Sequence, residues 1–316
     1  MNPTAVSVVV PVFDEEAGLP ALFERLYRAL DALHLRYETV FVNDGSRDRS
    51  AALLREQFER RPDVTRVIFL RSNVGQHCAL MAGFAHSRGE RVVTLDADLQ
   101  NPPEEIARLL AKMDQGHDYV GSIRRARQDS ALRRVASRAM NTLRERITRI
   151  RMTDQGCMLR AYGRPIIEAI VSCREVNTFI PALAYMFARN PVEIEVAHEE
   201  RAAGASKYSL YRLIELNFDL ITAFSVKPLQ LFSLLGMLVA VASVFTYVVV
   251  IANRWIASGS VMEGLRAVWD RDILAFFLIG MILFGVGLVG EYVGRIYQQV
   301  RQRPAYLIDA ILERED

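Results

Sequence analysis

Asp96 and Asp98 stand two residues apart, with Gln100 two further on, at the end of the run Arg91-Val92-Val93-Thr94-Leu95. Along an extended backbone alternate side chains share a face, so both carboxylates are expected to address one point. Hard oxygen ligands of this kind suit Mg²⁺ or Mn²⁺, which such sites commonly share with substrate phosphates. On its own, an Asp-x-Asp is equally well a solvated turn at a strand end. Two further acidic tips shift the balance: Asp14-Glu15 follows the apolar run Val6–Val12, and Asp44 follows Tyr37–Val42 in Asn43-Asp44-Gly45-Ser46. A crevice lined by carboxylates repels a phosphate unless a metal ion intervenes, whereas ribose hydroxyls and a base edge can donate to it directly. Within the first two hundred residues neither G-x-G-x-x-G nor G-x-x-x-x-G-K-[ST] occurs, so dinucleotide and P-loop readings lack support there.

The elements that must position these carboxylates alternate. Val6–Val12 reads as a buried strand, Leu19–Leu33 has helical periodicity, and Tyr37–Val42 is a second strand. Asp48–Arg60 reads as a helix and Val64–Leu70 as a third strand. The loop Asn73-Val74-Gly75-Gln76 leads into a small-residue helix through Ala85, and a fourth strand ends at Asp96. Pro102-Pro103 then breaks the chain before a helix whose first turn carries Glu104 and Glu105. Alternation of this kind predicts an α/β fold, Rossmann-like, with a mostly parallel sheet. Ligands bind at the open carboxyl edge of such sheets, and all three acidic tips are expected there.

Composition excludes some classes. Lys and Arg number 39 against 37 Asp and Glu, a net charge of +2, which gives no reason to expect a nucleic-acid partner. Cys78, Cys157 and Cys173 have neither metal nor redox spacing and read as reduced thiols of a cytosolic compartment. No basic region precedes the first apolar run, so it is not read as a secretory signal.

Beyond Tyr119 the chain becomes rich in arginine, from Arg124 to Arg151. Leu132–Ile147 has apolar residues at helical spacing, and Arg133 and Ser137 lie four apart on one face. A guanidinium and a hydroxyl so placed can clasp a phosphate; the plainer reading is a basic helix in water or on anionic headgroups. Thr153-Asp154-Gln155-Gly156 has the composition of a turn, and His198–Tyr208 that of a mobile loop holding Arg201, Gly204 and Lys207.

The last hundred residues differ in kind. Leu229–Ala252 carries no charge, and neither does Ile273–Gly290. The first run is long enough for ~30 Å of hydrocarbon and the second just sufficient. Cations flank the outer ends, with Lys207, Arg212 and Lys227 before the pair and Arg295, Arg301 and Arg303 after it, which places both ends in the cytosol. Ser209–Val226 is amphipathic and reads as an interfacial helix. The expected organisation is a catalytic domain over 1–208, an interfacial helix over 209–228, a membrane hairpin over 229–297 with spans at about 229–252 and 273–294, and a cytosolic tail over 298–316.

Three separated motifs in this order resemble those of family 2 glycosyltransferases with the GT-A fold: Val8-Val9-Val10-Pro11-Val12-Phe13-Asp14-Glu15, Asn43-Asp44-Gly45-Ser46, and Asp96-Ala97-Asp98-Leu99-Gln100-Asn101-Pro102-Pro103-Glu104. The nearest resemblance is to polyprenyl-phosphate glycosyltransferases. Asn73-Val74-Gly75-Gln76-His77, Thr178-Phe179-Ile180-Pro181 and Gly290-Glu291-Tyr292-Val293-Gly294-Arg295 extend it to bacterial enzymes of this class that serve lipid A modification. The resemblance implies that Pro11, Phe13, Glu15, Val42, Asp44, Asp96 and Ala97 hold the nucleotide sugar, and that Asp96, Asp98 and Gln100 hold the metal and diphosphate. It implies Arg124, Arg133 and Ser137 as acceptor-phosphate ligands, Asp154 as the candidate base, and Arg201 and Lys207 as cations closing over the departing diphosphate. A phosphate monoester has a second pKa near 6 and so needs little help to lose a proton, which leaves Asp154 free to orient the acceptor or hold the arginines.

The activity so implied is metal-dependent, inverting transfer of a sugar from a UDP-sugar to undecaprenyl phosphate at the cytosolic face of a bacterial inner membrane. Asp98 would act there with Mg²⁺ or Mn²⁺, and a homo-oligomer such as a tetramer is compatible with the reading. Rivals are a glucosyl or N-acetylhexosaminyl transferase to the same lipid, a membrane scaffold that binds sugar nucleotides without turnover, and a soluble cytosolic enzyme.

Overall fold

The computed structural model describes residues 4–124, 152–154, 156–173, 179–199, 229–239, 241–242, 245, 261–300 and 304–314. Outside that set lie the expected basic helix with Arg133 and Ser137, the loop bearing Arg201 and Lys207, the interfacial helix over 209–226 and most of the second half of the first apolar run.

The chain divides into two compact units, one of residues 1–145, 149–207 and 302–316, the other of 146–148 and 208–301. The first is built on an eight-stranded sheet ordered β7-β5-β6-β4-β1-β2-β3-β8. Its strands are β1 (Val6–Val12), β2 (Tyr37–Asn43), β3 (Thr65–Leu70), β4 (Arg91–Thr94), β5 (Tyr119–Arg124), β6 (Arg160–Gly163), β7 (Pro191–Val196) and β8 (Ile308–Leu312). The helices α1 (Leu19–Asp31), α2 (Ser50–Arg60), α3 (Gln76–His86), α4 (Ile106–Asp114), α5 (Arg164–Ser172) and α6 (Ile180–Phe187) connect them. A single 3₁₀ turn, Pro103–Glu105, opens α4.

β1 lies between β2 and β4 and is parallel to both, and β2 is parallel to β3. The chain steps from β1 outward to β3, then returns to the other side of β1 as β4. That reversal makes a crevice at the carboxyl edge between β1 and β4. One face of β1 packs Val6, Val8, Val10 and Val12 with Leu19, Leu22, Leu26 and Leu30 of α1, whose apolar residues recur every three or four positions. On the other face Gly83 lets α3 lie against Val9 and Val42; a Cβ there would stand 2.3 Å from Val9 Cγ1.

The sheet is mostly parallel, as expected, with six of its eight strands running the same way; the other two make it mixed. β6 runs antiparallel to both β4 and β5, and β8 antiparallel to β3. The segment expected only as a tail therefore supplies an edge strand, and Glu313 just beyond it pairs with Arg66 and Arg88 at 3.0 Å. β5 is antiparallel to β6, so β4 and β5 point the same way and end on the same edge, where β6 begins.

In the second unit residues 229–239 are helical and Val261–Val300 form one helix, α7, of 40 residues. Phe232 packs on Phe284 with ring centroids 5.3 Å apart. Ile282, Leu283, Phe284 and Val286 are exposed. Among the described residues no helix is long and apolar enough to cross a membrane, so the two expected spans are not established. Within the uncharged run 273–290, residues 273, 274, 276 and 277 lie outside the described side chains. Gly285, Gly287 and Gly290 have the spacing of a dinucleotide fingerprint, but they sit in the middle of α7 rather than between a strand and a helix.

Candidate active site

Two loops close the first half of the edge. The turn after β1 is laced to the turn after β2: the Asp14 amide donates to Ser46 Oγ at 3.1 Å, Glu15 to Ser50 Oγ at 3.0 Å, and Arg47 to Asp14 Oδ1 at 2.7 Å. Asp14 adopts φ 52°, a left-handed conformation that an aspartate tolerates better than most residues. Pro11 is half-buried, Val42 is buried, and Phe13 stands out from the edge at 40% exposure.

Asp44 is almost wholly buried. Its carboxylate accepts from the Val74 amide at 2.8 Å and the Gly75 amide at 2.9 Å, bridging the tip of β2 to the loop after β3. It is thus not the local Asx turn that its position before Gly45 suggests. Burial nonetheless pushes its carboxyl above the usual range, against those two donors. Each oxygen keeps acceptor capacity beyond one amide. Gly45 has φ 66°, and a Cβ there would lie 2.6 Å from Asn73 N, so the two loops touch backbone to backbone.

The Asp-x-Asp stretch differs from its expected geometry. β4 stops at Thr94, and residues 97–100 form a turn rather than continuing extended. Leu99 takes φ 58°, which folds the chain back so that the Gln100 amide donates to Asp98 Oδ1 at 3.1 Å. Positive φ at a leucine is strained and is characteristic of functional turns. Asp96 and Asp98 still lie in one another's field. Burial, and then the charge of Asp98, push the Asp96 carboxyl up to about 7, with Glu15 adding in the same sense. A donor from Gln76 Nε2 at 2.6 Å and the positive charge of Arg124 act against this. Ala97 is buried behind them.

Among the described residues no three His, Cys, Asp or Glu side chains are grouped as a metal cage. Mg²⁺ and Mn²⁺ ordinarily keep waters and take substrate phosphates beside one or two carboxylates. A buried carboxylate that keeps its proton to about pH 7, first through burial and then through the charge of a second carboxylate, makes with it a donor set that a divalent cation fits, because the cation offsets both.

On the other side of Asp96 stands Arg124, the last residue of β5. Asp154 receives its guanidinium two-handed, from Nε at 2.7 Å and Nη2 at 2.9 Å, and also accepts from the Gly156 amide at 3.0 Å. Arg124 is raised by that partner, and the hydrogen bonds from Arg124 outweigh burial to hold Asp154 below the usual carboxylate range. A Cβ on Gly156 would lie 2.8 Å from Arg124 Nη2, so a glycine is needed for the close approach. Arg160 is fully buried beneath this loop. Its Nε donates to the Cys157 carbonyl at 2.8 Å and its Nη2 to the Asp154 carbonyl at 2.7 Å. The Cys157 thiol, pushed up to about 11 by burial, lies 3.4 Å from Asn101 Oδ1 and ties this loop to the Asp98–Asn101 turn.

The structure therefore brings Glu15, Asp96, Asp98 and Arg124 into mutual electrostatic reach and sets Asp154 against Arg124. Asp44 lies on the same edge, engaged with the 74–75 backbone. Arg133, Ser137, Arg201 and Lys207 lie outside the described residues. The sequence motifs included Gln76 without a role, and its contact with Asp96 is a long-range one that no local pattern announces.

An open crevice with a cation-seeking acid pair beside a fixed arginine, on a mixed α/β sheet, is the frame of a nucleotide-sugar transferase. The chain belongs to glycosyltransferase family 2: the model of "Glycosyl transferase family 2" matches residues 7–171. It is 50% identical over 307 residues to the undecaprenyl-phosphate 4-deoxy-4-formamido-L-arabinose transferase of Pseudomonas aeruginosa, covering 97% of this chain and 90% of that one. The enzymes of the same name from Shewanella sediminis and Aeromonas hydrophila are 47% and 46% identical over 308 residues, with 97% of this chain covered in each case and 92% and 94% of theirs.

Proposed function

We propose that this protein transfers 4-deoxy-4-formamido-L-arabinose from its UDP-linked form to undecaprenyl phosphate at the cytosolic face of a bacterial inner membrane, with inversion. The near full-length identity to enzymes of that name supports the sugar and the acceptor. The observation that carries the reading in the geometry is the juxtaposition of Asp96, its carboxyl pushed up to about 7, with Arg124 in the same field. A site for a cation-bridged diphosphate thus adjoins a site for a second phosphate.

In this reading Glu15 and Asp44 face the nucleoside, and Asp96, Asp98 and Gln100 hold a divalent ion against the donor diphosphate. Bound there, the ion would neutralise charge on the departing UDP. Arg124, with Arg133 and Ser137, holds the acceptor phosphate. One of its oxygens forms a bond to the anomeric carbon from the side opposite UDP, and the bond from that carbon to the diphosphate oxygen breaks, its electron pair leaving with UDP. The acceptor is already largely dianionic at neutral pH, so no base is required, and Asp154 serves to hold Arg124. Arg201 and Lys207 add positive charge where the leaving group develops negative charge. The uncharged run 273–290 inside α7, with its exposed Ile282, Leu283 and Phe284, supports attachment to the membrane beside the lipid acceptor.

The test is a screen of UDP-sugars against undecaprenyl phosphate with the purified full-length protein, read by the mass of the lipid product. Formation of the formamido-arabinosyl lipid, lost on chelation and restored by Mn²⁺ or Mg²⁺, is expected. Preferential turnover of UDP-glucose or a UDP-N-acetylhexosamine would give the assignment to the sister activities. Absence of any turnover would favour a sugar-nucleotide scaffold.

A further inference from the structure

Arg25 lies on α1, outside every motif that marks the site. Its guanidinium is engaged by two carboxylates at once. Nε donates to Glu104 Oε1 at 3.1 Å and Nη2 to Glu104 Oε2 at 3.0 Å; Nη1 donates to Glu199 Oε2 at 3.0 Å and Nη2 to Glu199 Oε1 at 3.0 Å. All three nitrogens of the planar fork are used, in the two-handed geometry that gives arginine its directional strength. Glu104 opens α4 directly after the Asp98–Pro103 turn, and Glu199 follows β7 from the far edge of the sheet. The Glu199 amide donates to the Gln100 carbonyl at 2.9 Å, and the Ala197 amide to Glu105 Oε1 at 3.4 Å. Gln100 in turn donates its own amide to Asp98 at 3.1 Å.

We propose that Arg25 is a positioning residue for donor binding: its clasp on Glu104 and Glu199 locks the segment after β7 against the Gln100 carbonyl, and so fixes the turn that aims Asp98. The inference rests on the reading of Asp98 as a ligand of the metal-bridged donor diphosphate. The turn needs an external hold because its own conformation is strained at Leu99, with φ 58°. Asn101, just after the turn, ties it to Cys157; the clasp adds a second tie through the Gln100 carbonyl. The clasp itself adds little to folding, since Glu104 and Glu199 are about half exposed and exposed pairs contribute ~0–1 kcal/mol. Six well-formed hydrogen bonds among three distant segments, with little return in stability, are explained by what they hold in place.

The experiment measures Mn²⁺·UDP binding to the full-length protein by titration calorimetry, alongside thermal midpoint and the KM values of donor and acceptor. R25Q and E199Q are each expected to weaken Mn²⁺·UDP binding about tenfold, the low end of the range for residues that orient a metal ligand, because both act through the Gln100 turn. The donor KM should rise in parallel, the acceptor KM should stay within twofold, and the midpoint should move by a few degrees at most. The double variant R25Q/E199Q is expected to be no weaker than R25Q. R25K should recover less than half of the loss, because a point charge cannot engage both carboxylates. Binding in R25Q equal to that of the parent overturns the proposal, as does equal damage to both substrates with a large fall in midpoint, or full recovery by R25K. If the parent itself binds no Mn²⁺·UDP, the donor reading fails and this role for Arg25 fails with it.

Discussion

The replacement of Asp154 by Asn separates two roles that the sequence leaves open. The carboxylate accepts from Nε and Nη2 of Arg124 at 2.7 and 2.9 Å, is itself buried, and faces a guanidinium 23% exposed. Removing one partner of a buried pair costs about 3–5 kcal/mol. Water reaches Arg124 and an Asn oxygen still accepts from it, so a loss nearer ~2 kcal/mol is expected here. Arg124 then loses its fixed orientation. A tenfold fall in kcat/KM for undecaprenyl phosphate corresponds to ~1.4 kcal/mol of lost transition-state stabilisation, and that is the effect expected of D154N. A lost general base would remove about 10²–10⁴.

The pH dependence gives a second, independent measure. Asp154 is held below the ordinary carboxylate range, so a base limb due to it would lie below pH 4. The acceptor phosphate ionises near pH 6. Initial rates with saturating donor, measured from pH 5 to 8, are expected to fall on the acid side near pH 6 in both the parent and D154N. Because the folded value is depressed, the pair's contribution to stability is present above the unfolded pKa of Asp154 and is lost as pH falls through the folded one. Urea titrations should therefore show the two proteins converging below about pH 4. A double-mutant cycle with R124Q should give at least ~1 kcal/mol of coupling. A thousandfold loss of kcat in D154N at unchanged acceptor KM, or disappearance of its acid limb, would refute the positioning role and restore Asp154 as a base.

Two other perturbations follow from the donor side. In metal-free protein Asp96 holds its proton to about pH 7, so its contribution to stability is complete below the ordinary carboxylate pKa and lost as pH rises through 7. D96N in chelator should therefore stabilise the protein at pH 8 by a few kcal/mol, make little difference at pH 4, and abolish the thermal shift given by Mn²⁺; an unchanged Mn²⁺ shift would count against the acid pair as the metal site. G45A should weaken UDP binding at least tenfold and lower the thermal midpoint, since its Cβ meets the backbone at Asn73 N and Ser72 C, which cannot rotate away, and φ 66° costs an alanine about 1 kcal/mol besides; parent-like UDP affinity in G45A would show that the contact between those loops is immaterial.

How much of this was legible depends on how far each interaction reaches along the chain. β1, β2 and β3 were visible because each is a run of apolar, β-branched residues bounded by turn residues, and their parallel order followed from the helices between them. The convergence of Glu15, Asp44 and Asp96 on one edge followed in turn. The antiparallel strands were not visible. β6 is four residues long, and β8 pairs with a strand that precedes the whole second unit in sequence. The turn at Leu99 was missed because alternation was extended past Thr94, where the ladder ends. Nothing local marks Arg25, since its partner Glu199 is 174 residues away. Nothing in the neighbours of Arg160 reveals that it is wholly buried.

That buried arginine links the two halves of the site. Among the described residues no carboxylate accepts a hydrogen bond from Arg160; the Asp154 and Cys157 carbonyls and the Tyr119 hydroxyl do. A cation so deep is costly unless dipoles surround it, and drawing those carbonyls inward leaves the Asp154 carboxylate to meet Arg124. Arg160 is also the first residue of β6 and pairs in register with Thr94, the last residue of β4, whose hydroxyl reaches the Met158 carbonyl. Asp96 lies two residues beyond Thr94. The antiparallel pairing of β4 and β6 therefore delivers the acid tip and the arginine-holding loop to the same edge from opposite directions. A slip of one residue in that pairing would turn every side chain of β6 to the other face, taking Arg160 out of the loop and Asp154 off Arg124. The antiparallel strand, the largest departure from the expected sheet, is thus what sets the Arg124–Asp154 pair beside Asp96.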